Sequence, residues 1–450
     1  MALSIVDAVA AIKRNVAACL SARSIQRICN AENYRCRVRE LGPVTTLHAF
    51  LLQVLHGNTA CSQVVRLAGL NCTAEAYCQA RARIPLSIYQ RLLDETSRAA
   101  RPSCVRPRWH GHRTFLVDGS SFSMPDTDEL REHFGQPGQQ RIGCGFPVAH
   151  WLTMFDAENG LLIRQLAMPL RTHDLSCAAQ LHPELATGDV LVGDTAFASY
   201  AHLALLFQAQ LHGVFPVHQR QLVSFREDRK LVGPRTKGTV ATHATNRLLR
   251  KLGQYDQLVE YAKPQRRPRW ISQEAYAALP KKIIVRELKY FTKLRGGRTK
   301  VITLVTTLVD AQAYPATALA DLYGQRWQIE TNLASLKTTM RMDVLRSKTV
   351  AGVRKELAIY ALVYNLVRLV MWKAAQQEQV RTPRVSFVDA LRWLAEACRQ
   401  PALPLQLILN PYRPGRHQPR ARKRRPKQYD LLQVPRWQLR ERLYAKHVRT

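Results

Sequence analysis

Residues 190–217 read VLVGDTAFASYAHLALLFQAQLHGVFPV. The runs VLV at 190–192 and GVFPV at 213–217 are continuously apolar, as strands covered on both faces tend to be. Between them, apolar positions recur at helical spacing over 201–209. A strand, a helix and a strand in close succession predict an α/β layer. Upstream, TFLVD at 114–118 is another short apolar run, and VAHWLTMFDAENGLLIRQLAM at 148–168 reads as two strands joined by a turn at 156–160. A short helix fits 175–181. The predicted order is therefore three strands, helix, strand, helix, strand. Two acids punctuate it: Asp118 closes TFLVD before Gly119-Ser120-Ser121, and Asp194 closes VLVGD before Thr195-Ala196-Phe197.

The flanks have a different character. Residues 1–105 show helical periodicity, in SIVDAVAAIKRNVAACL and in TTLHAFLLQVLHG, with Gly57 as a turn and a further helix over 74–82 that carries Arg81 and Arg83. Helix, turn and basic helix suggest a DNA-binding head; a plain helical bundle fits equally well. Residues 218–310 are rich in charge and in β-formers, with Gly296-Gly297 as a hairpin turn, and read as a β-rich insertion. A helix is expected over 316–340 and an apolar one over 354–375. The run RPGRHQPRARKRRPK at 413–427 is too rich in proline and charge to pack by itself. The expected divisions are 1–105, 106–217, 218–310, 311–375 and 376–450, the last helical and basic.

Composition narrows the function. In 450 residues, 67 Lys and Arg face 33 Asp and Glu, a formal charge of +34, while 46% of residues are hydrophobic. So large a positive excess attracts a polyanion. Small structural basic proteins share the charge but rarely so much core-forming sequence. The basic stretches 263–269 and 286–300 are candidates for lining a DNA channel. The ten cysteines form no Cys-x-x-Cys pair, which argues against a zinc ribbon and for reduced thiols in a cytosolic protein. The N-terminus carries Asp7 inside its apolar stretch, unlike a signal peptide. The apolar stretch 357–372 is interrupted by Asn365 and Arg368, so a buried helix is expected rather than a membrane partner.

The chemistry is carried by acids. Sites in α/β sheets open at the carboxyl ends of strands, where Asp118 and Asp194 are expected. Two carboxylates there repel unless a cation lies between them, and Mg2+ favours a few carboxylates plus water and phosphate oxygens. Either Asp alone is equally a loop or helix cap. The third element is DLYGQRWQIETNLASLKTTMR at 321–341, in which Tyr323, Arg326, Glu330 and Lys337 share one face of a regular helix. Trp327, Ile329, Leu333 and Leu336 on the same helix demand a packing partner. A polar stripe beside an apolar one suits the wall of an active site, although a solvated salt-bridged face would look similar.

Tyr-x2-Arg-x3-Glu-x6-Lys, following LVDGS, GDTAF and a β-rich insertion, resembles the DDE transposases of bacterial insertion sequences, in particular the branch with this Tyr-Arg-Glu-Lys signature. The likeness covers about 105–375 well. It implies an α/β, ribonuclease H-like catalytic core with a β-rich insertion, a helical N-terminal domain and a helical C-terminal region. It implies Asp118, Asp194 and Glu330 as catalytic, metal-binding residues for Mg2+ (or Mn2+), two ions in all. It implies Tyr323, Arg326, Trp327 and Lys337 as DNA contacts. Gly324-Gln325 departs from relatives that carry another basic residue there. The implied partners are double-stranded DNA, as terminal inverted repeats and target, and a second copy of the chain in a synaptic complex. The implied location is the cytoplasm, on the nucleoid when DNA is bound. A transposase-derived DNA-binding protein without catalysis, and a metal-dependent nuclease of the same fold, are the rival readings.

Overall fold

The computed structural model describes residues 4–36, 40–100, 109–138, 141, 143–218, 221–233, 242–293, 299–400, 402–411 and 432–447. The basic run 413–427, Gly296-Gly297 and Cys104 lie outside the described residues.

Seven helices come first: α1 (Ile5–Ile12), α2 (Arg14–Cys19), α3 (Ala22–Ala31), α4 (Pro43–Leu55), α5 (Cys61–Leu67), α6 (Ala74–Arg83) and α7 (Leu86–Ala100). α1 and α2 are separate because Lys13 is extended, at φ −157°. The alternating stretch that follows builds β1 (Thr114–Ser123), α8 (Asp128–Phe134), β2 (Val148–Asp156), β3 (Leu162–Pro169), α9 (Asp174–Ala178), β4 (Val190–Val192), α10 (Tyr200–Gln208) and β5 (His212–Pro216). The insertion supplies β6 (Lys230–Leu231), β7 (His243–Ala244), β8 (Arg247–Gly253), β9 (Asp256–Ala262), α11 (Gln273–Ala278), β10 (Lys282–Lys293) and β11 (Thr299–Thr306). The chain closes with α12 (Ala316–Gly324), α13 (Trp327–Ala334), α14 (Val350–Gln377), α15 (Phe387–Ala397) and α16 (Arg436–His447).

β1, β2 and β3 form an antiparallel meander, while β4 and β5 run parallel to β1. The succession of elements expected from sequence is therefore present. The insertion does not build a large sheet apart from it. β11 pairs antiparallel with β5, and β10, β9 and β8 follow, giving nine strands in the order β3-β2-β1-β4-β5-β11-β10-β9-β8. One face of the sheet packs on α14 and the N-terminal helices; the other packs on α10 and α11. Leu116 and Val117 sit on opposite faces, as the two-residue period of a strand requires.

Two helical expectations need correction. No single helix spans 316–340. After Gly324 the backbone tightens, with Gln325, Arg326, Gln328 and Ile329 each donating three residues back, and after α13 it widens into a π turn at Ser335–Thr339. Arg81 is not a DNA-facing cation either. It is half-buried, its guanidinium lies 3.9 Å from the centre of the Phe50 ring, and it donates to Gln53 Oε1 at 2.6 Å.

α14 is long and apolar enough to cross a membrane by length and composition, yet 89% of its apolar window is buried inside the protein. The polar residues that interrupt it hold the β2–β3 turn. Asn365 Oδ1 accepts from Leu162 N–H at 2.8 Å, its Nδ2 donates to Leu162 O at 2.9 Å, and Arg368 donates twice to Asn159 O. Gly160, at φ +73°, closes that turn with its Cα against the Arg368 guanidinium, where a Cβ has no room.

Candidate active site

The site begins where β4 stops. β1 and β4 are paired only from Thr114↔Val190 to Leu116↔Val192. Beyond that, β1 continues to Ser123 along β2, meeting Val344 only at Ser123, and the β4 chain turns away at Gly193 into a 3-10 turn at Thr195–Phe197. A crevice opens at the carboxyl ends of the parallel strands. Asp118 lies two residues past the last β1–β4 pair, and Asp194 two residues past the end of β4. Asp118 is thus in the middle of β1, opposite Thr153, and not at the end of its strand as expected. The strand is prolonged by its hairpin partner β2, which the local pattern of TFLVD does not reveal.

Both acids are half-buried and incompletely satisfied. Asp118 Oδ1 accepts the Gly119 N–H at 2.8 Å, and Asp194 Oδ1 accepts the Ala196 N–H at 2.8 Å, which caps the turn. Among the described residues no donor meets the second oxygen of Asp194, and that of Asp118 meets only Arg326 Nη1 at 3.3 Å. Burial pushes the Asp118 carboxyl up to about 6, with the charges of Asp194 and Asp174 adding to it while Gly119 N–H and Arg326 oppose it. Burial raises Asp194 as well, again with Asp174 contributing.

The helical wall supplies the cations. Because the turn between α12 and α13 is tightened, residues three apart eclipse, which sets the Tyr323 phenol against Arg326. Arg326 then reaches two acids, Asp118 at 3.3 Å and Glu330 Oε1 at 2.7 Å. Glu330 is 62% exposed. Lys337, inside the π turn, donates to Ser120 Oγ at 3.0 Å, and burial lowers its pKa. Ile329, Leu333 and Leu336 are buried as expected; Trp327 is not, standing 58% exposed beside Arg326.

The structure thus brings Asp118, Asp194, Tyr323, Arg326, Glu330 and Lys337 to one crevice. Among the described residues, no three acidic, histidine or cysteine side chains converge closely enough to hold one ion as they stand. The donor chemistry fits a hard divalent cation nevertheless: the two carboxylates are partly desolvated, the charge of Asp194 raises Asp118, and each keeps an oxygen free of backbone bonds.

Sequence reasoning missed Asp174. It follows β3 and reads as an ordinary helix-start acid, yet its charge acts on both Asp118 and Asp194. His150 is its partner. The only local signal was an acid in the short connection that follows a strand of the same sheet. The basic stretch 286–300 needs one correction: Arg286 is 1% exposed and paired with Asp256, so it is framework.

Residues 109–366 match the family model described as Transposase DDE domain. The chain is 29% identical over 375 residues to the Escherichia coli (strain K12) protein named Transposase InsG for insertion sequence element IS4, covering 79% of this chain and 77% of that one. A solved structure, a piggyBac transposase synaptic complex with hairpin DNA, aligns over 85% of this chain and 80% of its own at a TM-score of 0.44 and 11% identity.

Proposed function

Because this chain belongs to the family of DDE transposases of bacterial insertion sequences, we propose that it binds the ends of such an element and moves it by metal-dependent cleavage and strand transfer. Asp118, Asp194 and Glu330 are the metal-holding carboxylates, and β1–β5 with α12–α14 make a ribonuclease H-like core. The observation that carries this reading is the pair of half-buried aspartates two residues past the last β1–β4 pair and two past the end of β4, each with an oxygen that takes no backbone hydrogen bond. Two Mg2+ or Mn2+ ions bound there supply activation of a hydroxyl nucleophile and stabilisation of the leaving oxygen.

The chain's own groups do the rest. Arg326 presents a planar fork and Lys337 a point charge to phosphate oxygens next to the cut. Tyr323 orients Arg326. Trp327 offers an exposed indole against which a base can stack. The same site serves hydrolysis and strand transfer, since only the nucleophile changes from water to a DNA 3′-hydroxyl. The helices of residues 1–105 and the net charge supply duplex binding, two copies meet in the synaptic complex, and the protein works in the cytoplasm on the nucleoid.

The test is cleavage of a duplex carrying the element's terminal repeat, with Mg2+ and a supercoiled target. Wild type is expected to release the end and join it to the target, and Asp118→Ala, Asp194→Ala and Glu330→Ala to bind the end without cutting. Cleavage without joined product would make the protein a nuclease of this fold; binding without cleavage by wild type would make it a DNA-binding derivative.

A further inference from the structure

Ser120 stands on the same face of β1 as Asp118. Side chains of a strand alternate between its two faces, so Leu116, Asp118, Ser120 and Phe122 form one row. Leu116 and Phe122, at the ends of the row, are buried in the core on the α14 side, whereas Asp118 and Ser120 between them are half-buried. Two polar residues thus interrupt an apolar row, and they do so past the last β1–β4 pair, where the crevice opens. Each meets a cation of the helical wall. Asp118 Oδ2 accepts from Arg326 at 3.3 Å, and Ser120 Oγ accepts from Lys337 Nζ at 3.0 Å. The second pair lies one strand repeat along from the first, about 6.6 Å.

The two pairs differ in kind. A hydroxyl that accepts from an ammonium directs its own O–H elsewhere. Among the described residues no acceptor takes the Ser120 proton, and Lys337 bonds no carboxylate. Asp343, the acid whose charge acts on Lys337, is exposed and makes no bond to it. Hydroxyl and ammonium therefore converge with donors to spare and no acceptor between them, which is the donor set for an anionic oxygen. The backbone fixes their separation. After the π turn the chain reverses at Arg341, at φ +63°, and runs back beside β1. Asp343 N–H donates to Lys337 O at 3.3 Å, while Asp343 O accepts the Ser123 N–H at 3.0 Å. One residue thus ties the strand that carries Ser120 to the turn that carries Lys337.

We propose that Ser120 is a DNA-binding residue: its hydroxyl, together with the Lys337 ammonium, holds a non-bridging oxygen of the phosphate next to the one being cut. This rests on the transposase reading of the same crevice. Asp118 serves the phosphate that reacts. The hydroxyl–ammonium pair, one strand repeat away, serves its neighbour, a separation comparable to the step between successive phosphates of a DNA strand. Ser120 thereby sets the register of the cut strand and takes no part in the proton transfers. A contact to phosphate positions the strand without reading its sequence.

The experiment compares wild type, Ser120→Ala and Ser120→Thr on terminal-repeat duplexes in which one phosphate at a time around the cut is replaced by an uncharged methylphosphonate. Kd and single-turnover cleavage are measured on each duplex, with melting temperature and Mn2+ calorimetry on the DNA-free proteins. On the unmodified duplex, Ser120→Ala is expected to raise Kd about tenfold, as loss of a hydrogen bond to a charged group does, with melting temperature and Mn2+ affinity near wild type. Ser120→Thr, which keeps the hydroxyl, is expected to recover most of the binding. The methylphosphonate next to the cut is expected to cost Ser120→Ala about tenfold less than it costs wild type, and the others to cost both proteins the same. Equal sensitivity of the two proteins to every methylphosphonate would overturn the proposal, because Ser120 then meets no phosphate. Loss of Mn2+ affinity by Ser120→Ala would overturn it by placing Ser120 in the metal site, and a lowered melting temperature with unchanged Kd would do so by making the pair a brace. Asp118→Ala separates the two readings: if it cuts like wild type, the transposase site itself is wrong, whereas a dead Asp118→Ala beside a Ser120→Ala that binds and cuts like wild type sinks only the present inference.

Discussion

Two ends of one nine-stranded sheet bury carboxylates, and they treat them differently. On β10, in the insertion, Glu287 is fully buried, and burial raises its pKa. Its oxygens accept from Gln257 Nε2 at 2.9 Å, Tyr261 OH at 2.9 Å and Asn246 Nδ2 at 3.2 Å. Next to it, Arg286 grips Asp256 and donates to Tyr314 O at 2.6 Å. In the crevice, Asp118 and Asp194 are also shifted upward by burial, yet each has one backbone donor and an oxygen left for something else. Desolvation alone therefore does not mark a reactive acid. Unused hydrogen-bonding capacity does: a buried polar group normally has partners, and one held half-satisfied at a crevice is kept for a ligand.

The comparison breaks most visibly at the aspartates. Asp118→Ala and Asp194→Ala are each expected to reduce cleavage by about 1000-fold or more, because transition-state charge stabilisation of several kcal/mol is lost. The fold should survive, as neither acid anchors more than a local turn. Melting at or above the wild-type temperature together with loss of cutting supports the distinction, and ordinary cutting by either variant removes that residue from the centre. Glu287→Ala should behave in the opposite way. Two buried donors, Gln257 and Tyr261, lose their acceptor, at about 1–3 kcal/mol each when left unpaired, so the melting temperature should fall markedly while the rate per folded molecule holds. A Glu287→Ala protein as stable as wild type would end the claim that the insertion's acid is framework.

A smaller effect concerns pH. The Asp118 carboxyl, at about 6 in the folded chain against an ordinary 3.8, is favoured in its protonated form by folding. The stability this adds is fully present below about pH 4 and is lost as pH rises through about 6, a change on the order of 2–3 kcal/mol. In chelator, the wild-type melting temperature should therefore drop across that window more than that of Asp118→Asn. Parallel curves for the two proteins would show that the carboxyl is not desolvated as its surroundings imply.

How much of this was legible in sequence depends on whether the determinant was local. The runs around Asp118 and Asp194 announced buried strands, and the element order followed. The length of β1 was hidden, because its second half is held by β2, thirty residues away. The break at Gln325-Arg326 had one cue, Gly324; the π turn around Lys337 had none. A regular helix predicted the right neighbours for a partly wrong reason, since the tightened turn, not ideal helical spacing, brings Tyr323 onto Arg326. Arg81 could have been placed correctly: Tyr77, Ala80 and Ile84, all buried, put it within an inward-facing stripe. Asp174 could not, because only the fold brings the β3–α9 junction beside Gly119.

The finest distinction separates the two guanidiniums that pair with acids in this sheet. Arg286 is 1% exposed and wedged between Asp256 and Tyr314 O, so it has nowhere else to go. Arg326 is 23% exposed, reaches Asp118 at 3.3 Å, and holds Glu330, an acid that is itself largely in solvent. On the proposed reading of the site, it competes in the DNA-free protein with a divalent cation for these two carboxylates. Arg326→Ala should therefore strengthen Mn2+ binding without DNA, by about fivefold if the pairs are worth about 1 kcal/mol together. It should weaken binding of the terminal-repeat duplex, because a phosphate contact is gone. Among the described residues Lys337 bonds Ser120 Oγ and no carboxylate, so Lys337→Ala should leave Mn2+ affinity near wild type or slightly higher while weakening the end complex, and added metal should not restore it. Glu330→Gln should lose metal affinity with DNA still bound. Calorimetry with Mn2+ on all three variants decides the matter. If Arg326→Ala and Lys337→Ala lost metal affinity as badly as Glu330→Gln, the stripe would be a single ion-pair network, and Arg326 would be a framework cation like Arg286.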